Sequence, residues 1–128
     1  MISMAKAGVV GFIQVADTAI ARDFYERVLG LSLMDDGYAL VADFDGAKLR
    51  ITTIANYVAP EHPAFGFVVP DTHAVAAHLT REGVTLERYS FLGDAQGADG
   101  VWTGPDGTKV VWFKDPAGNL LTVTSALA

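Results

Sequence analysis

The stretch GFIQVADTAIARDFYERVLG, Gly11 to Gly30, decides the fold because it joins a strand to a helix. Its first part is apolar and β-prone, which predicts a buried strand. Asp17 or Thr18 can cap the helix that follows, and the final glycine supplies a left-handed stop. The apolar residues that recur at helical spacing and predict the buried helix face are Ile20, Phe24 and Val28.

The same plan returns in the second half of the chain. The stretch AFGFVVPDTHAVAAHLTREG, Ala64 to Gly83, again predicts a strand, a helix capped by Asp71 or Thr72, and a glycine stop. The tetrapeptide VADT before the first helix aligns with VPDT before the second. An internal repeat of this kind indicates a duplicated structural module.

Three β-prone segments follow each predicted helix. They are LSLMDDG, YALVADFDG and AKLRITTIA in the first half, and VTLERYSF, KVVWFKD and NLLTVTS in the second. The sequence therefore predicts an α+β fold of two βαβββ modules. We place these modules at about residues 7–58 and 60–127, within a single domain that spans residues 1–128.

Alternation along the first strand of each module predicts a covered and an uncovered face. In the first module, one face carries Val9, Gly11, Ile13 and Val15, and the other carries Val10, Phe12 and Gln14. In the second module, Phe65, Phe67 and Val69 lie opposite Ala64, Gly66 and Val68. If helices cover the faces of Ile13 and Phe65, the other faces can form a curved sheet around a ligand-binding cavity. An interior filled by side chains is the alternative.

The composition excludes several classes of function. The chain has 128 residues, 51% of them hydrophobic, which is enough for one domain with a core. A net charge of -6 without a basic cluster argues against binding to nucleic acid or to an anionic membrane. The lack of cysteine excludes disulfides and thiolate metal sites. We see no signal peptide and no transmembrane segment in the sequence, and we therefore expect a cytoplasmic protein.

Three stretches together resemble a known superfamily: IQVADTAIARDFYERVLGL, FGFVVPDTHAVAAHLTREGV and WFKDPAGNLL. They are similar to the vicinal oxygen chelate superfamily, which includes glyoxalase I, bleomycin-resistance proteins and extradiol dioxygenases. The resemblance extends over nearly the whole chain, and the pairing of FYERVLGL with DPAGN is fairly specific. It implies paired βαβββ modules, a U-shaped cavity and often a homodimer. The metalloenzymes of the superfamily hold a divalent metal with His, Gln or Glu ligands on four strands.

The metal-ligand positions of the superfamily fall on poor donors in this chain. Carried over one by one, they are Val10, Arg50, Ala64 and Thr122. Valine and alanine have no donor atom, a guanidinium repels a cation, and a threonine hydroxyl alone is a weak ligand. His62, one pleat from Ala64, is either a substitute ligand or an exposed histidine at a strand start. The resemblance therefore implies a member without the usual metal ligands, and we expect no cofactor.

The predicted ligand-binding residues are Phe12, Gln14, Arg50, Trp102, Trp112 and Thr122. Arg50 would bind an anionic or carbonyl group through its planar guanidinium, or would instead pair with a carboxylate such as Asp43. The aromatic residues Trp102, Trp112, Tyr89 and Phe91 offer stacking surfaces for a ligand, or belong to the core or to a dimer contact. Tyr89 and Phe91 precede a glycine-rich segment, Leu92 to Gly100, that is either a mobile lid or a surface loop.

Three classes of function fit these observations. The first is a small-molecule-binding protein of the glyoxalase and bleomycin-resistance type, without a metal centre and with an unidentified organic ligand. The second is a metal-dependent lyase, isomerase or dioxygenase similar to lactoylglutathione lyase, which needs converging donor side chains. The third is an interaction or scaffold protein with a filled interior. No general base can be named, since charge alone singles out Glu61, Glu87, Asp94 and Asp99.

Overall fold

The computed structural model describes residues 2–125, and the chain divides into two compact units, Met1–Val58 and Ala59–Ala128. Each unit contains one four-stranded sheet, in which the first strand lies beside the fourth. In both units a helix separates that first strand from the other three. This confirms the predicted α+β fold of two βαβββ modules. The predicted end of the second module, at residue 127, lies outside the described residues.

The first unit follows the order strand, helix, three strands. Its elements are β1 (Val9–Val15), α1 (Thr18–Asp23), a π-helical turn (Phe24–Val28), β2 (Met34–Asp35), β3 (Leu40–Phe44) and β4 (Ala47–Thr53), after a 3-10 turn at Met4–Lys6. The strand order is β1-β4-β3-β2. β1 and β4 are parallel and the other neighbours are antiparallel, as expected when a helix connects the first strand to a hairpin-linked series.

The helix of the first unit begins where the sequence predicts. The Oδ1 atom of Asp17 accepts a hydrogen bond from the Ile20 amide at 2.9 Å, so Asp17 is the N-cap. One prediction for this helix is wrong, because Ile20 is 55% exposed and does not belong to the buried face. The buried residues are Ala21, Phe24, Tyr25 and Val28. These four share one helical stripe, and Ile20 lies about a quarter of a turn from its centre.

The second unit repeats this order with longer connections. Its elements are β5 (Pro63–Val69), α2 (Thr72–Arg81), a 3-10 segment (Ser90–Ala95), β6 (Trp102–Thr103), β7 (Lys109–Lys114) and β8 (Leu120–Ser125). The strand order is β5-β8-β7-β6, with β5 and β8 parallel. Asp71 caps α2 by accepting a 3.1 Å hydrogen bond from the Ala74 amide. Gly83 follows the helix with a φ of 82°, in the left-handed region.

The strand that follows each helix differs from the prediction. In the first unit, only Met34–Asp35 of the segment LSLMDDG is a strand. In the second unit, the prediction of a strand in VTLERYSF is wrong. That segment contributes an isolated bridge from Leu86 to Phe113, and the edge strand of the sheet is Trp102–Thr103 instead.

The buried side chain of Gln96 gives the physical reason for this departure. Its Nε2 atom donates hydrogen bonds to the carbonyl oxygens of Glu87 and Gly100, at 2.9 and 3.0 Å. Its Oε1 atom accepts a hydrogen bond from the Tyr89 amide at 3.0 Å. A side chain thus satisfies backbone groups that a neighbouring strand would otherwise pair.

Each sheet has one buried face and one more exposed face. In the first unit, Ile13, Ile51 and Leu40 are neighbours across β1, β4 and β3 and form a buried row. In the second unit, α2 packs against β7 and β8, and Phe65 lies beside the buried Leu121. The opposite face of each sheet, called the open face below, carries the side chains that alternate with these.

Candidate functional site

The open face of the first unit carries a row of four side chains across its sheet. The strand register pairs Phe12 with Arg50, Arg50 with Val41, and Val41 with Met34, one residue from each strand. Phe12 is 60% exposed and Met34 is 72% exposed, whereas Arg50 is half-buried. Gln14 lies on the same face, two positions along β1 from Phe12. The first unit therefore brings its three predicted ligand-binding residues onto one face.

Arg50 is held in place by the carboxylate of Asp36. Its Nη1 atom lies 2.9 Å from Asp36 Oδ2, and Asp36 Oδ1 accepts hydrogen bonds from the amides of Tyr38 and Ala39 at 2.9 and 2.8 Å. These two amides, and after them Arg50, lower the pKa of Asp36 below its usual value. Of the alternatives that the sequence left open for Arg50, an ion pair with a carboxylate is present. This pair compensates the positive charge of the guanidinium.

On the open face of the second unit, three residues from adjacent strands form a row. The register pairs Gly66 of β5 with Thr122 of β8, and Thr122 with Trp112 of β7. The glycine is needed here, because a Cβ atom at Gly66 would lie 2.5 Å from Thr122 Oγ1. Thr122 therefore occupies space that a side chain at position 66 would fill. In the neighbouring row, Trp102 of β6 pairs with Val110.

The aromatic cluster of the second unit consists of Tyr89, Phe91, Trp102 and Trp112. The ring centroid of Trp112 lies 5.3 Å from that of Tyr89 and 6.1 Å from that of Trp102. The rings of Tyr89 and Phe91 are 5.7 Å apart. Phe91 is 82% exposed, and the other three rings are half-buried. Aromatic pairs at these separations attract one another, so the four rings support each other's positions.

The glycine-rich segment 92–100 is anchored by two side chains that precede it in the chain. Arg88 Nη2 donates to the carbonyl oxygen of Gly97 at 2.8 Å. His73, on the first turn of α2, forms a hydrogen bond through Nδ1 with a carboxylate oxygen of Asp99. These contacts connect the segment to α2 and to the residues before it. The choice between a lid and a surface loop stays a prediction.

One carboxylate lies beside the aromatic cluster. The Glu87 amide donates a hydrogen bond to the Trp112 carbonyl oxygen at 2.8 Å. Burial raises the pKa of Tyr89, and the negative charge of Glu87 raises it further. Glu87 also forms a 3.5 Å ion pair with Lys114, in which the two side chains are 29% and 56% exposed. The aromatic cluster is therefore a neutral surface with one carboxylate, Glu87, at its edge, and this carboxylate is shared with the Lys114 ammonium.

The sequence match to known families agrees with this architecture. Residues 7–123 match the family model of the Glyoxalase/Bleomycin resistance protein/Dioxygenase superfamily. The chain belongs to this superfamily. The match confirms the resemblance that the repeated stretches indicated. No curated protein matches the sequence.

Three solved structures resemble this glyoxalase-superfamily chain over almost its whole length. An integron cassette protein from the mobile metagenome of V. cholerae is 22% identical, with 99% of both chains covered and a TM-score of 0.68. Lactoylglutathione lyase from Agrobacterium tumefaciens is 18% identical, with 97% of this chain and 96% of that chain covered and a TM-score of 0.71. A protein assigned to the glyoxalase family from Bacillus anthracis is 13% identical, with 99% of both chains covered and a TM-score of 0.75. At these sequence identities, the structural similarity shows a shared fold only.

The residues at the superfamily's metal positions do not fit a metal ion. Val10 and Ala64 offer no donor atom, the guanidinium of Arg50 has no free electron pair for a metal, and Thr122 offers a hydroxyl only. Among residues 2–125, no group of three or more His, Cys, Asp or Glu side chains is placed to hold a metal. His62, the substitute that the sequence suggested, is exposed and lies at hydrogen-bonding distance from the carbonyl oxygen of the next residue.

No helix within the described residues is long and apolar enough to cross a bilayer.

Five residues that lie on these two faces or support them are outside the six predicted ligand-binding residues: Met34, Asp36, Tyr89, Phe91 and Gln96. Alternation in LSLMDDG could have found Met34, since it lies on the short edge strand that continues the row of Arg50. The two aromatic residues are conspicuous in the sequence, but the approach of Tyr89 to Trp112 depends on the hydrogen bonds of Gln96. A single glutamine in a loop carries no signal that would reveal this.

Proposed function

We propose that this protein binds a small organic molecule without a metal centre. The proposed contacts are Phe12, Gln14 and Arg50 on the first sheet, and Trp102, Trp112 and Thr122 on the second. The aromatic cluster carries the proposal, because its two tryptophans stand on the open face of a sheet whose other face packs against α2. Exposed or half-buried aromatic faces are surfaces on which organic ligands bind.

The proposed contacts supply both apolar area and directed polar groups. Phe12 and the tryptophans contribute ring faces, the kind of surface that lines most sites for small organic ligands. Arg50 contributes N–H donors whose orientation is fixed by its ion pair with Asp36. Thr122 contributes a hydroxyl group that donates or accepts a hydrogen bond. These groups suit the recognition of a ligand, and none of them is assigned as a nucleophile or a general base.

The metal-dependent alternative, a lyase, isomerase or dioxygenase, has less support. The structural likeness to a lactoylglutathione lyase is at 18% identity and therefore concerns the fold alone. The four metal positions carry Val10, Arg50, Ala64 and Thr122, none of which is a good ligand. We also propose a homodimer, which the resemblance implies, and a cytoplasmic location, which the sequence implies.

Native mass spectrometry of the purified protein, before and after treatment with a chelator, tests this function. We expect a mass of twice the chain, no metal that the chelator removes, and a co-purified organic mass that identifies the ligand. A stoichiometric metal that the chelator removes would overturn the metal-free proposal and support the metal-dependent alternative. A monomer mass would overturn the homodimer and leave the binding proposal in place.

A further inference from the structure

We infer that the aromatic cluster binds organic cations, so that the ligand carries a quaternary or tertiary ammonium group. This inference rests on the proposed function and names the chemical class of its ligand. Three observations carry it: the orientation of the four rings, the sign of the charge beside them, and the engagement of the neighbouring positive side chains.

The rings of the aromatic cluster face different directions. The planes of Tyr89 and Trp112 stand at 90°, those of Trp102 and Trp112 at 44°, and those of Tyr89 and Phe91 at 37°. A flat conjugated ligand stacks best on parallel ring faces. A compact ammonium group is instead stabilised by several ring faces that surround it in different orientations. The rings therefore offer no parallel pair of faces for a flat ring system, whereas an ammonium group needs only an accessible ring face such as that of Phe91.

The charge beside the aromatic cluster has the sign that a cation needs. Glu87 is joined to Trp112 by a 2.8 Å backbone hydrogen bond, and its negative charge acts on the Tyr89 hydroxyl. The Lys114 ammonium is 3.5 Å from Glu87 and largely exposed, so it is a weak competitor for this carboxylate. The net charge of the chain, -6, adds an attractive long-range field for cations.

The positive side chains near the aromatic cluster are already engaged. Arg88 donates to the carbonyl oxygen of Gly97, and Lys109 Nζ donates to Thr103 Oγ1 at 3.0 Å. Lys114 pairs with Glu87. Neither Arg88 nor Lys109 faces the aromatic cluster, because Lys109 lies on the opposite face of β7 from Trp112 and Arg88 lines a pocket beside α2. A cation is the charged ligand that this surface would accept.

Tryptophan fluorescence gives a direct test, because both tryptophans of the chain belong to the aromatic cluster. The probes are choline and its neutral isostere, in which a carbon atom replaces the ammonium nitrogen. The two have nearly the same size and shape and differ in charge. We expect choline to change the emission saturably, with an affinity roughly five-fold higher than that of the isostere.

Three variants separate a cation site from a general apolar surface. Glu87→Gln should weaken choline binding by about five-fold and leave binding of the isostere unchanged. Lys114→Gln should strengthen choline binding by about two-fold, because the competitor for the carboxylate is removed. Phe91→Ala should weaken it without affecting the fold, since Phe91 is 82% exposed. The control is Glu61→Gln, which makes the same charge change at an exposed residue before β5, the strand at the other edge of the sheet.

The outcomes distinguish this inference from the proposed function. If the isostere binds as tightly as choline, the cation class is wrong and the protein still binds an organic molecule. If neither probe changes the emission of folded protein, the cation class is also wrong, and native mass spectrometry decides the proposed function separately. If Glu61→Gln weakens choline binding as much as Glu87→Gln, net charge alone explains the effect and the site assignment fails.

Discussion

Thr122 stands where metalloenzymes of the superfamily carry a glutamate, and Gly66 makes room for it. A Cβ atom at position 66 would lie 2.5 Å from Thr122 Oγ1, well inside van der Waals contact. We therefore expect Gly66→Ala to lower the free energy of unfolding by about 1–2 kcal/mol, as overpacking does in folded interiors. Chemical denaturation followed by circular dichroism measures this change.

The matched control is the same substitution in a Thr122→Ala background, where no hydroxyl meets the new methyl group. In that background, Gly66→Ala should no longer lower the free energy of unfolding. It should raise it slightly, because alanine restricts the unfolded chain more than glycine does. An equal cost in both backgrounds would mean that Thr122 is not the reason for the glycine.

Arg50 is proposed as a ligand contact whose removal leaves the fold intact. Its pair with Asp36 is partly exposed, with side chains 30% and 36% accessible, so solvent screens most of its contribution. We expect Arg50→Ala to lower the free energy of unfolding by less than about 1 kcal/mol and to change the affinity for the organic ligand. Lys48→Ala is the control, because Lys48 lies on the same strand and face and pairs with Asp43. Equal ligand affinity in both variants would remove Arg50 from the site.

Asp36 gives the unfolding free energy a dependence on acid pH. The amides of Tyr38 and Ala39, and then Arg50, lower its pKa in the folded protein below the ordinary value of 3.8. A lowered folded-state pKa stabilises the protein above pH 3.8, and this stabilisation is lost as the pH falls through the folded value. The melting temperature of Asp36→Asn should therefore fall less steeply below that pH than that of the wild type. Arg50→Ala should keep most of the wild-type dependence, since the amides are the larger cause.

At the scale of elements, Gln96 replaces the strand pairing that the segment after α2 lacks. Gln96→Ala would leave the Tyr89 amide and two carbonyl oxygens without their partner. We expect a loss of about 2–4 kcal/mol in unfolding free energy, because each polar group left buried and unsatisfied carries a desolvation cost. Tryptophan emission should shift as well, since Tyr89 packs against Trp112. Asp94→Ala, an exposed change in the same segment, should stay within about 0.5 kcal/mol of the wild type.

The elements that the sequence predicts well are those with local causes. Asp17 and Asp71 cap the two helices as expected, because capping depends on one side chain and the amides that follow it. The prediction of a strand in VTLERYSF is wrong for a non-local reason. The backbone of that segment binds a side chain from a later loop, that of Gln96. The prediction for Ile20 is wrong because the buried stripe is centred between Ala21 and Val28, about a quarter of a turn from Ile20.

At the scale of the whole molecule, the repeat carries the most information. Two copies of one pattern, each ending in a glycine stop, predict the duplicated module, and the resemblance of these stretches implies the superfamily, which the family match confirms. The contents of the candidate site are less predictable. The open-face positions of Phe12, Trp112 and Thr122 follow from alternation, whereas the Arg50–Asp36 pair and the aromatic cluster depend on how turns and loops place side chains. The sequence therefore predicts which residues share a face of the sheet better than it predicts the contacts that their side chains make.

The melting temperature of the whole protein should not change when divalent metals are added. A metal that binds only the folded state adds about 2.7 kcal/mol of stability at a hundredfold excess over its Kd, which raises the melting temperature by several degrees. With Val10, Arg50, Ala64 and Thr122 at the ligand positions, we expect no such rise with zinc, nickel or manganese and no fall with a chelator. A saturable rise with one metal, reversed by the chelator, would mean that other donors converge in this chain. It would move the protein from the binding class to the metal-dependent enzymes of its superfamily.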